Sequence, residues 1–198
     1  ARLEEFRREQ EGFLEPSFDT IAGYGPHASV IHYKATPESD SPLEPEGFFL
    51  VDSGGHYLDG TTDITRTIVL GPLTDEKRAR YTTVLRSMLN LAGTQFPYGC
   101  RGEHLDVLAR RPLWEQGLDY RHGTGHGVGF LLNVHEGPNR FAYNTDPEKP
   151  SCVLEPGMVT TDEPGYYEDG AFGIRIENDL LCVSGPETAY GRFLAFEP

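Results

Sequence analysis

The chain has 198 residues, 37% of them hydrophobic and 11% aromatic, which suits one globular domain with a sizeable core. Its net charge of −14, from 31 acidic and 17 basic residues, argues against nucleic acid and anionic membranes as partners. It has no apolar run long enough to span a bilayer, and an odd set of three cysteines (Cys100, Cys152 and Cys182) argues against a disulfide framework. These features predict a cytoplasmic protein.

The first third of the chain is predicted to contain one helix and three strands. Apolar residues at helical spacing in a charged segment predict the helix, and apolar runs between turn residues predict the strands. The helix covers residues 3–13, and the strands cover residues 28–33, 47–55 and 62–70. For His32, near the end of the first strand, the simplest interpretation is a histidine satisfied within the core.

The dipeptide Asp59-Gly60 is a strong signal for the hairpin turn between the second and third strands. With a simple two-residue turn there, Asp63 and Asp52 would be separated by four residues along the sheet, roughly 13 Å. That distance is too long for both to bind one metal ion. If both aspartates are ligands the hairpin must be irregular, and Gly54-Gly55 is the predicted place for a bulge.

Two helices are predicted in the middle of the chain. Thr74 is the expected N-cap of a helix of about twenty residues that residues 96–99 bring to an end. A shorter helix is expected over residues 103–116, shortened or kinked by Pro112. Both carry apolar residues at helical spacing, so we predict that they pack against the core and take no part in chemistry.

The segment 121–137 contains three of the seven histidines, His122, His126 and His135. Two histidines four residues apart are typical of a zinc-binding helix. However, each glycine at 123, 125, 127 and 129 would cost a helix interior about 1 kcal/mol relative to alanine, so a helix is not predicted. Glycines at this density allow the backbone to approach another group closely. The alternative interpretation is a glycine-rich turn with incidental histidines.

The last third of the chain is predicted to be mainly strands and turns. A loop is expected over residues 138–151, a strand that runs into a turn over 158–165, a turn over 166–170 and a long strand over 172–183. Strands and helices are mixed without strict βαβ alternation. The sequence therefore predicts an α+β fold with a mostly antiparallel sheet and flanking helices.

Four acidic residues lie in or beside predicted strands: Asp52, Asp63, Glu163 and Glu177. Each alone is more simply an exposed carboxylate at a strand end, but burying all four without a counter-charge would be prohibitively costly. As a set they indicate two divalent cations, with one imidazole as the nitrogen ligand. Oxygen-rich ligation with a single histidine favours manganese, with cobalt, iron and zinc as alternatives.

Five segments carry a resemblance to a known family. They are Ile31-His-Tyr33, Asp52-Ser-Gly54, Asp63-Ile-Thr-Arg-Thr67, the histidine-glycine segment from His122 to Pro138, and residues 161–178. Together they resemble the catalytic domain of the pita-bread metallopeptidases, most closely the aminopeptidase P branch. The resemblance implies a pita-bread fold with a curved sheet. It also implies that residues 1–198 are one catalytic domain of a longer chain with N-terminal domains.

The resemblance also implies five metal ligands. Asp52 would chelate one metal ion, His126 and Glu163 would hold the other, and Asp63 and Glu177 would bridge both. Four residues are implied in substrate binding: His32, His122, His135 and Arg175. Three are implied in catalysis, Glu163 by moving a proton and His122 and His135 by stabilising an oxyanion.

The implied reaction is hydrolysis of the bond between an N-terminal residue and a following proline, with a peptide as the only partner required. A prolidase that accepts dipeptides only is the first alternative, and a non-catalytic peptide-binding module of the same fold is the second. A serine hydrolase is disfavoured because no Gly-x-Ser-x-Gly motif occurs. A homodimer is one expected assembly. Four aromatic residues are expected to line the proline pocket: Tyr98, Phe130, Tyr166 and Tyr167.

Overall fold

The computed structural model describes residues 2–143 and 151–198, and this part contains three α-helices and fourteen β-strands. The helices are α1 (Arg2–Arg8), α2 (Asp75–Ala92) and α3 (Gly102–Trp114), and a 3-10 helix covers Gly25–Ser29. The first seven strands are β1 (Phe13–Pro16), β2 (Ile21–Tyr24), β3 (Phe48–Ser53), β4 (Gly55–Tyr57), β5 (Gly60–Thr61), β6 (Ile64–Val69) and β7 (Gln95–Pro97). The remaining strands are β8 (Gly125–Val128), β9 (His135–Phe141), β10 (Val159–Asp162), β11 (Gly165–Glu168), β12 (Phe172–Arg175), β13 (Asn178–Thr188) and β14 (Gly191–Glu197).

The strands form one large sheet and three small ones. The large sheet has the order β7-β14-β13-β10-β8-β9, and the small sheets are β2-β3-β6, β1-β4-β5 and β11-β12. Every strand pair in the described part of the chain is antiparallel. The predicted α+β fold with mostly antiparallel sheets is therefore confirmed.

The two long helices supply one side of the main core. Buried apolar residues of α2 and α3 belong to the same cluster as residues of the large sheet, among them Val84, Leu91, Leu105, Ala109, Leu180 and Leu194. Thr74 caps α2 as predicted, because its side chain accepts a hydrogen bond of 3.2 Å from the Lys77 amide. Helix α3 contains Pro112 and ends two residues after it. Both helices thus pack behind the sheet that carries β8 and β10.

The first 33 residues differ from the prediction. The helix ends at Arg8, because Gly12, with a φ of 75°, turns the chain into strand β1. The strand predicted over residues 28–33 is wrong, since a 3-10 helix with proline in its first turn occupies Gly25–Ser29 and turns follow it. That helix passes very close to β12: a Cβ on Gly173 would lie 1.8 Å from the Ala28 carbonyl oxygen.

The turn of the β4–β5 hairpin lies one residue earlier than predicted. Tyr57 pairs with Gly60, so residues 58–59 form the two-residue turn and the Asp59-Gly60 assignment is wrong. A turn one residue earlier shifts the pairing of the two strands by two residues. The residues that precede the turn consequently face different partners from those that the sequence predicts.

No bulge occurs in this hairpin where one was predicted. The pairing runs in one register from the turn to Asp52, which lies opposite Thr65. The chain changes sheets at Gly54: β3, which precedes it, belongs to the sheet β2-β3-β6, and β4, which follows it, belongs to the sheet β1-β4-β5. A Cβ on Gly54 would lie 1.9 Å from the Thr62 carbonyl oxygen, so the crossing point requires glycine.

The last third also contains more strand than predicted. Strand β9 continues to Phe141, so residues 138–141 are not loop, and residues 144–150 of the predicted loop lie outside the described part. The turn predicted over residues 166–170 is mostly strand β11. The long strand over residues 172–183 is interrupted at Ile176 and Glu177, because β12 pairs with β11 while β13 joins the large sheet. β14, absent from the prediction, follows.

Candidate metal centre

One cavity of about 280 Å³ collects the residues that the sequence singles out. All five implied metal ligands line it: Asp52, Asp63, His126, Glu163 and Glu177. Three of the four implied substrate residues line it as well, namely His32, His135 and Arg175. His122, the fourth, lines an adjoining cavity together with His32, His126, His135 and Glu163. The structure therefore brings together residues from positions 32 to 177 of the chain.

Asp52 and Asp63 are diagonal neighbours on one face of the hairpin. Asp52 pairs with Thr65, and Asp63 precedes Thr65 by two residues, so both carboxylates point to the same side. Diagonal neighbours in an antiparallel pair are about 7–8 Å apart. The shifted turn thereby removes the separation predicted from the sequence, and no bulge is needed to bring the two acids together.

His126 lies on strand β8, between two glycines that let neighbouring strands approach. A Cβ would lie 1.7 Å from the Thr161 carbonyl oxygen at Gly125 and 2.1 Å from the Glu136 carbonyl oxygen at Gly127. The His126 Nδ1 is 2.9 Å from the Gly127 carbonyl oxygen, which fixes the proton on Nδ1 and leaves Nε2 for the cavity. A backbone carbonyl on the second nitrogen is typical of a histidine that binds a metal.

Three candidate ligand atoms from residues that line the cavity form a compact group. Ligand atoms of Asp63, His126 and Glu177 all lie within 4.8 Å of one another. The His126 Nε2 is 3.4 Å from the Asp63 Oδ2 and 3.6 Å from the Glu163 Oε1. Glu177 is oriented by Thr65, whose hydroxyl donates a hydrogen bond of 2.7 Å to its Oε2. Sequence alternation places Thr65 on the same face as Asp63 but does not reveal this contact.

Arg175 is the centre of a buried hydrogen-bonded chain. Its Nη2 donates to the Asp52 Oδ2 at 2.6 Å and its Nη1 donates to the Tyr167 hydroxyl at 3.0 Å. The Tyr167 oxygen is in turn 2.9 Å from the His122 Nε2. Burial raises the pKa of Tyr167 to about 12, so its hydroxyl stays protonated. Arg175 therefore orients one candidate ligand and one tyrosine at the same time.

His122 has both ring nitrogens engaged within the protein. Its Nδ1 is 2.7 Å from the Gly123 carbonyl oxygen, so Nδ1 carries the proton and Nε2 accepts from Tyr167. Burial lowers the pKa of His122 to about 4, which keeps the ring neutral near pH 7. In this conformation His122 has no N–H left for an oxyanion, in contrast to the role implied by the sequence resemblance.

His135 is differently placed from His122. It is exposed at the start of β9, its ring centroid lies 4.1 Å from that of His126, and it lines both cavities. Partial loss of water around the ring, together with the neighbouring His126, lowers the pKa of His135. Within residues 2–143 and 151–198, no hydrogen bond engages its ring nitrogens. A neutral His135 therefore has one N–H to offer to a bound molecule.

The apolar walls of the cavity are not the predicted aromatic residues. Tyr98 and Phe130 are exposed on the surface, Tyr166 packs against the core, and Tyr167 takes part in the Arg175 chain. The cavity is lined instead by Phe18, Ile21, Ile31, Tyr33 and Val134. Most of these residues precede the metal-ligand motifs, and Ile21 reaches the cavity because β2 pairs with β3, where it lies opposite Asp52.

Some carboxylate oxygens in the cavity have no partner within the described part of the protein and are suited to binding cations. Across the described residues, the buried Oδ1 atoms of Asp52 and Asp63 have no hydrogen-bond partner. Burial raises the pKa of Asp52 and Glu177, and burial raises that of Glu163 to about 7. Arg175 neutralises at most one of these charges. The donor set, carboxylate oxygens with one imidazole nitrogen, suits two divalent cations.

Comparison with known proteins agrees with this chemistry. Residues 1–184 match the model of metallopeptidase family M24. The chain belongs to this family. It is 53% identical over 189 residues to a "Probable Xaa-Pro aminopeptidase P" of Tuber melanosporum, and 49% identical over 201 residues to "Aminopeptidase P1" of Lotus japonicus. These alignments cover 96% and 99% of this chain but 30% of each relative, so the chain spans less than a third of their length.

Solved structures confirm the pita-bread fold. The X-prolyl aminopeptidase of Caenorhabditis elegans, described as "a cytosolic enzyme with a di-nuclear active site", superposes with a TM-score of 0.91 at 40% identity. The alignment covers 99% of this M24 chain and 32% of the nematode protein. A prolidase from Pyrococcus furiosus superposes with a TM-score of 0.75 at 34% identity, over 86% of this chain and 48% of that one. In the described part of the M24 chain, no helix is long and apolar enough to cross a membrane.

Without metal, this M24 chain is expected to lose stability as the pH rises through about 7. Asp52, Glu163 and Glu177 have a raised pKa in the folded state, so between their unfolded and folded values the folded state binds more protons than the unfolded one. His122 and His135 act in the opposite direction, because their pKa is lowered, but only below the ordinary histidine value of 6.5. Above that value the acids decide the sign together with His126, whose pKa is raised because the effect of burial is outweighed by its hydrogen bonds and acidic neighbours.

Urea unfolding of the metal-free protein at about pH 6.5 and pH 8 measures this effect. The midpoint should be lower at the higher pH, and added Mn²⁺ should raise it most at that pH, because a cation replaces the bound protons. Equal midpoints at the two pH values, with no response to Mn²⁺, would contradict a cation-binding cavity.

Proposed function

We propose that this chain is the catalytic domain of an aminopeptidase with two metal ions, which cleaves the bond between an N-terminal residue and a following proline. The observation that carries the proposal is the group formed by Asp63, His126 and Glu177, with Asp52 and Glu163 in the same cavity. The names of the fungal and plant relatives and the description of the nematode structure support it.

Five residues would hold the two cations. Asp52 would bind one cation, and His126 and Glu163 would bind the other. Asp63 and Glu177 would bind both. The donor set favours manganese over cobalt, iron and zinc. When bound, such ions act as Lewis acids on the scissile carbonyl and lower the pKa of water. Thr65 and Arg175 would orient Glu177 and Asp52, because each donates a hydrogen bond to one oxygen of the carboxylate.

Glu163 is the proposed proton carrier. A carboxyl group whose pKa lies near neutrality can accept a proton from the attacking water and deliver it to the leaving prolyl nitrogen. Without metal, burial raises the pKa of Glu163 to about 7, and the Thr161 hydroxyl donates to its Oε1 at 3.3 Å. The carboxyl group is thereby held in one orientation while its proton changes.

The three histidines near the cavity would have different roles toward the substrate. His135 has a free N–H in its neutral form and is the proposed donor to the oxyanion that forms during attack. His32, which lines the same two cavities as His135, would orient the peptide. His122 would donate to substrate from Nε2 only if Tyr167 moved and the ring proton shifted from Nδ1 to Nε2, so its part in this conformation is to hold Tyr167 beside Arg175.

Proline in the second position suits the apolar side of the cavity. Its ring has no N–H and a fixed φ, so a pocket can select it by shape without a hydrogen bond to that nitrogen. Phe18, Ile21, Ile31 and Val134 provide apolar lining near the acids. Selection by shape is limited to about 1–3 kcal/mol per methylene-sized difference. Slow cleavage after alanine is therefore compatible with the proposal.

A cytoplasmic location is proposed as well. The nematode neighbour is described as cytosolic, and the three cysteines of this chain are unpaired in the structure. Free thiols persist in a reducing compartment. A peptide with proline second is the proposed partner, and a homodimer is the proposed assembly.

The activity can be measured with the full-length protein loaded with Mn²⁺. Xaa-Pro-Yaa tripeptides should be cleaved about 10-fold or more faster than Xaa-Ala-Yaa tripeptides, as expected for a pocket shaped to the ring. Release of the N-terminal residue is the quantity to follow, with metal content determined on the same preparation.

Three other outcomes would each point elsewhere. Equal rates on the two tripeptides would contradict proline specificity and leave a general metallo-aminopeptidase. Cleavage of the Xaa-Pro dipeptide with none of the tripeptide would identify a prolidase, the activity of the Pyrococcus furiosus neighbour. Metal bound in full without cleavage of any peptide would favour a binding module.

A further inference from the structure

The segment that carries His122 lacks regular secondary structure. Residues 118–124 lie between the end of α3 and the start of β8, and none of them is in a helix or a strand. Backbone hydrogen bonds hold its two ends at the Leu118 and Thr124 amides, but among the described residues they do not involve residues 119–123. Side chains therefore hold the middle of the segment, and the described residues include two such side chains one helical turn apart on α3, Asp106 and Arg110.

Arg110 binds the segment at three points with one buried guanidinium. Its Nη1 donates to the Tyr120 carbonyl oxygen at 2.8 Å and to the Asp119 Oδ1 at 2.8 Å, and its Nη2 donates to the His122 carbonyl oxygen at 2.7 Å. The guanidinium carbon also lies 4.0 Å from the centre of the Tyr120 ring. Arg110 is 2% exposed, so its bond to the Tyr120 carbonyl forms away from water, while the Asp119 side chain is exposed to solvent.

Asp106 binds the other end of the same segment. It accepts a hydrogen bond of 2.6 Å from the Arg110 Nε, and its second oxygen accepts from the Thr124 hydroxyl. The Thr124 oxygen is also hydrogen-bonded to the Tyr120 hydroxyl. The Thr124 carbonyl in turn accepts from the Glu163 amide at 2.7 Å, which connects the segment to the proposed proton carrier.

We propose that Asp106 and Arg110 are positioning residues for His122: they fix the backbone of residues 119–124 so that the imidazole reaches Tyr167. The proposal rests on the proposed peptidase function and adds two residues from a helix that the sequence assigns to packing only. His122 reaches Tyr167 through a single ring nitrogen, at 2.9 Å. A shift of about 1 Å in the His122 backbone would break that contact, and displacements of this size can cost about 100-fold in rate.

Arg110→Lys is the variant that tests the arrangement. Lysine keeps the positive charge beside Asp106, which avoids an unpaired buried carboxylate, but its single ammonium cannot reach both carbonyl oxygens as the planar guanidinium does. We expect kcat on Xaa-Pro-Yaa to fall about 10- to 100-fold with metal content unchanged. Arg111→Met is the matched control, because Arg111 is the next residue of α3 and its partner Glu115 is exposed. It should leave kcat within about twofold of the wild type.

A double-mutant cycle separates positioning from a general loss of structure. If Arg110 acts through His122, Arg110→Lys should reduce kcat by less than about twofold in a His122→Ala background. A reduction as large as in the wild-type background would overturn the proposal. Asp106→Asn, which keeps the shape of the side chain, gives the same test from the other end if Arg110→Lys folds poorly.

A crystal structure of the Arg110→Lys protein provides a readout that does not depend on activity. The proposal requires that the His122 ring leaves Tyr167 in this variant and stays in place in Arg111→Met. An unchanged distance between the His122 Nε2 and the Tyr167 oxygen would overturn it. If the wild-type protein cleaves no Xaa-Pro peptide, the proposed function fails, while this structural comparison still decides whether Arg110 positions His122.

Discussion

Replacing Asp63 with asparagine is expected to remove bound metal and reduce kcat by about 10³-fold or more. Asp63 belongs to the compact group with His126 and Glu177, and its buried Oδ1 has no protein partner in the described part of the chain. An amide retains the shape of the side chain but loses the negative charge that holds a cation. Because Lewis-acid stabilisation is worth several kcal/mol and each 1.36 kcal/mol is tenfold in rate, the expected loss is large.

Asp179→Asn is the matched control for this variant. Asp179 is a half-buried aspartate beside the buried Asp63, and its Oδ2 accepts a hydrogen bond of 3.2 Å from the Asp63 amide. It does not line the candidate site, and an asparagine oxygen can still accept that bond. Metal content by elemental analysis should therefore fall in Asp63→Asn and stay near the wild-type value in Asp179→Asn. The reverse result would mean that the metal is bound beside Asp179 and not in the candidate site.

The second large effect is expected from Arg175→Met in the metal-free protein. Removing one partner of a buried ion pair leaves the other charge without compensation, which costs about 3–5 kcal/mol. Arg175 is 2% exposed, and its partner Asp52 accepts from it at 2.6 Å. Mn²⁺ should restore part of the lost stability, because a cation beside Asp52 would replace the missing charge.

An exposed pair of the same length provides the control. Lys34 and Asp19 are also 2.6 Å apart, but their side chains are 79% and 84% exposed. Lys34→Met should change the free energy of unfolding by no more than about 1 kcal/mol, as measured by urea unfolding without metal. If Arg175→Met and Lys34→Met lower the free energy of unfolding by the same amount, burial does not explain the importance of the ion pair between Arg175 and Asp52.

Residue chemistry made the candidate ligands predictable from the sequence. Asp52 ends an apolar run, and Glu177 alternates with buried isoleucines, so acids at these positions require a reason other than solvation. The glycines around His126 argue against a helix, and the structure places that residue on a strand. These inferences depend on residue type and local spacing, which the sequence displays directly. The metal-binding roles themselves stay predictions.

The contacts that orient these residues were not predictable in the same way. The 3-10 helix beside Gly173 and the break before β13 both depend on contacts with distant segments, and the turn at residues 58–59 follows the register of the strands on either side of it. The bond between Arg175 and Asp52 joins residues 123 positions apart, and nothing in the local sequence of either one specifies it. Local propensity is a weak guide where tertiary contacts determine the conformation.

The positions of the candidate ligands in different sheets also affect how the protein unfolds. Asp52 belongs to the small sheet β2-β3-β6, His126 to the large sheet, and Glu177 to the junction between β12 and β13. Ions bound by all three would act as a cross-link between segments that are far apart in the chain. The cavity forms only after these sheets have docked, so we expect metal to bind late in folding. Once bound, it should slow unfolding and proteolysis, because all three segments have to release it before they can separate.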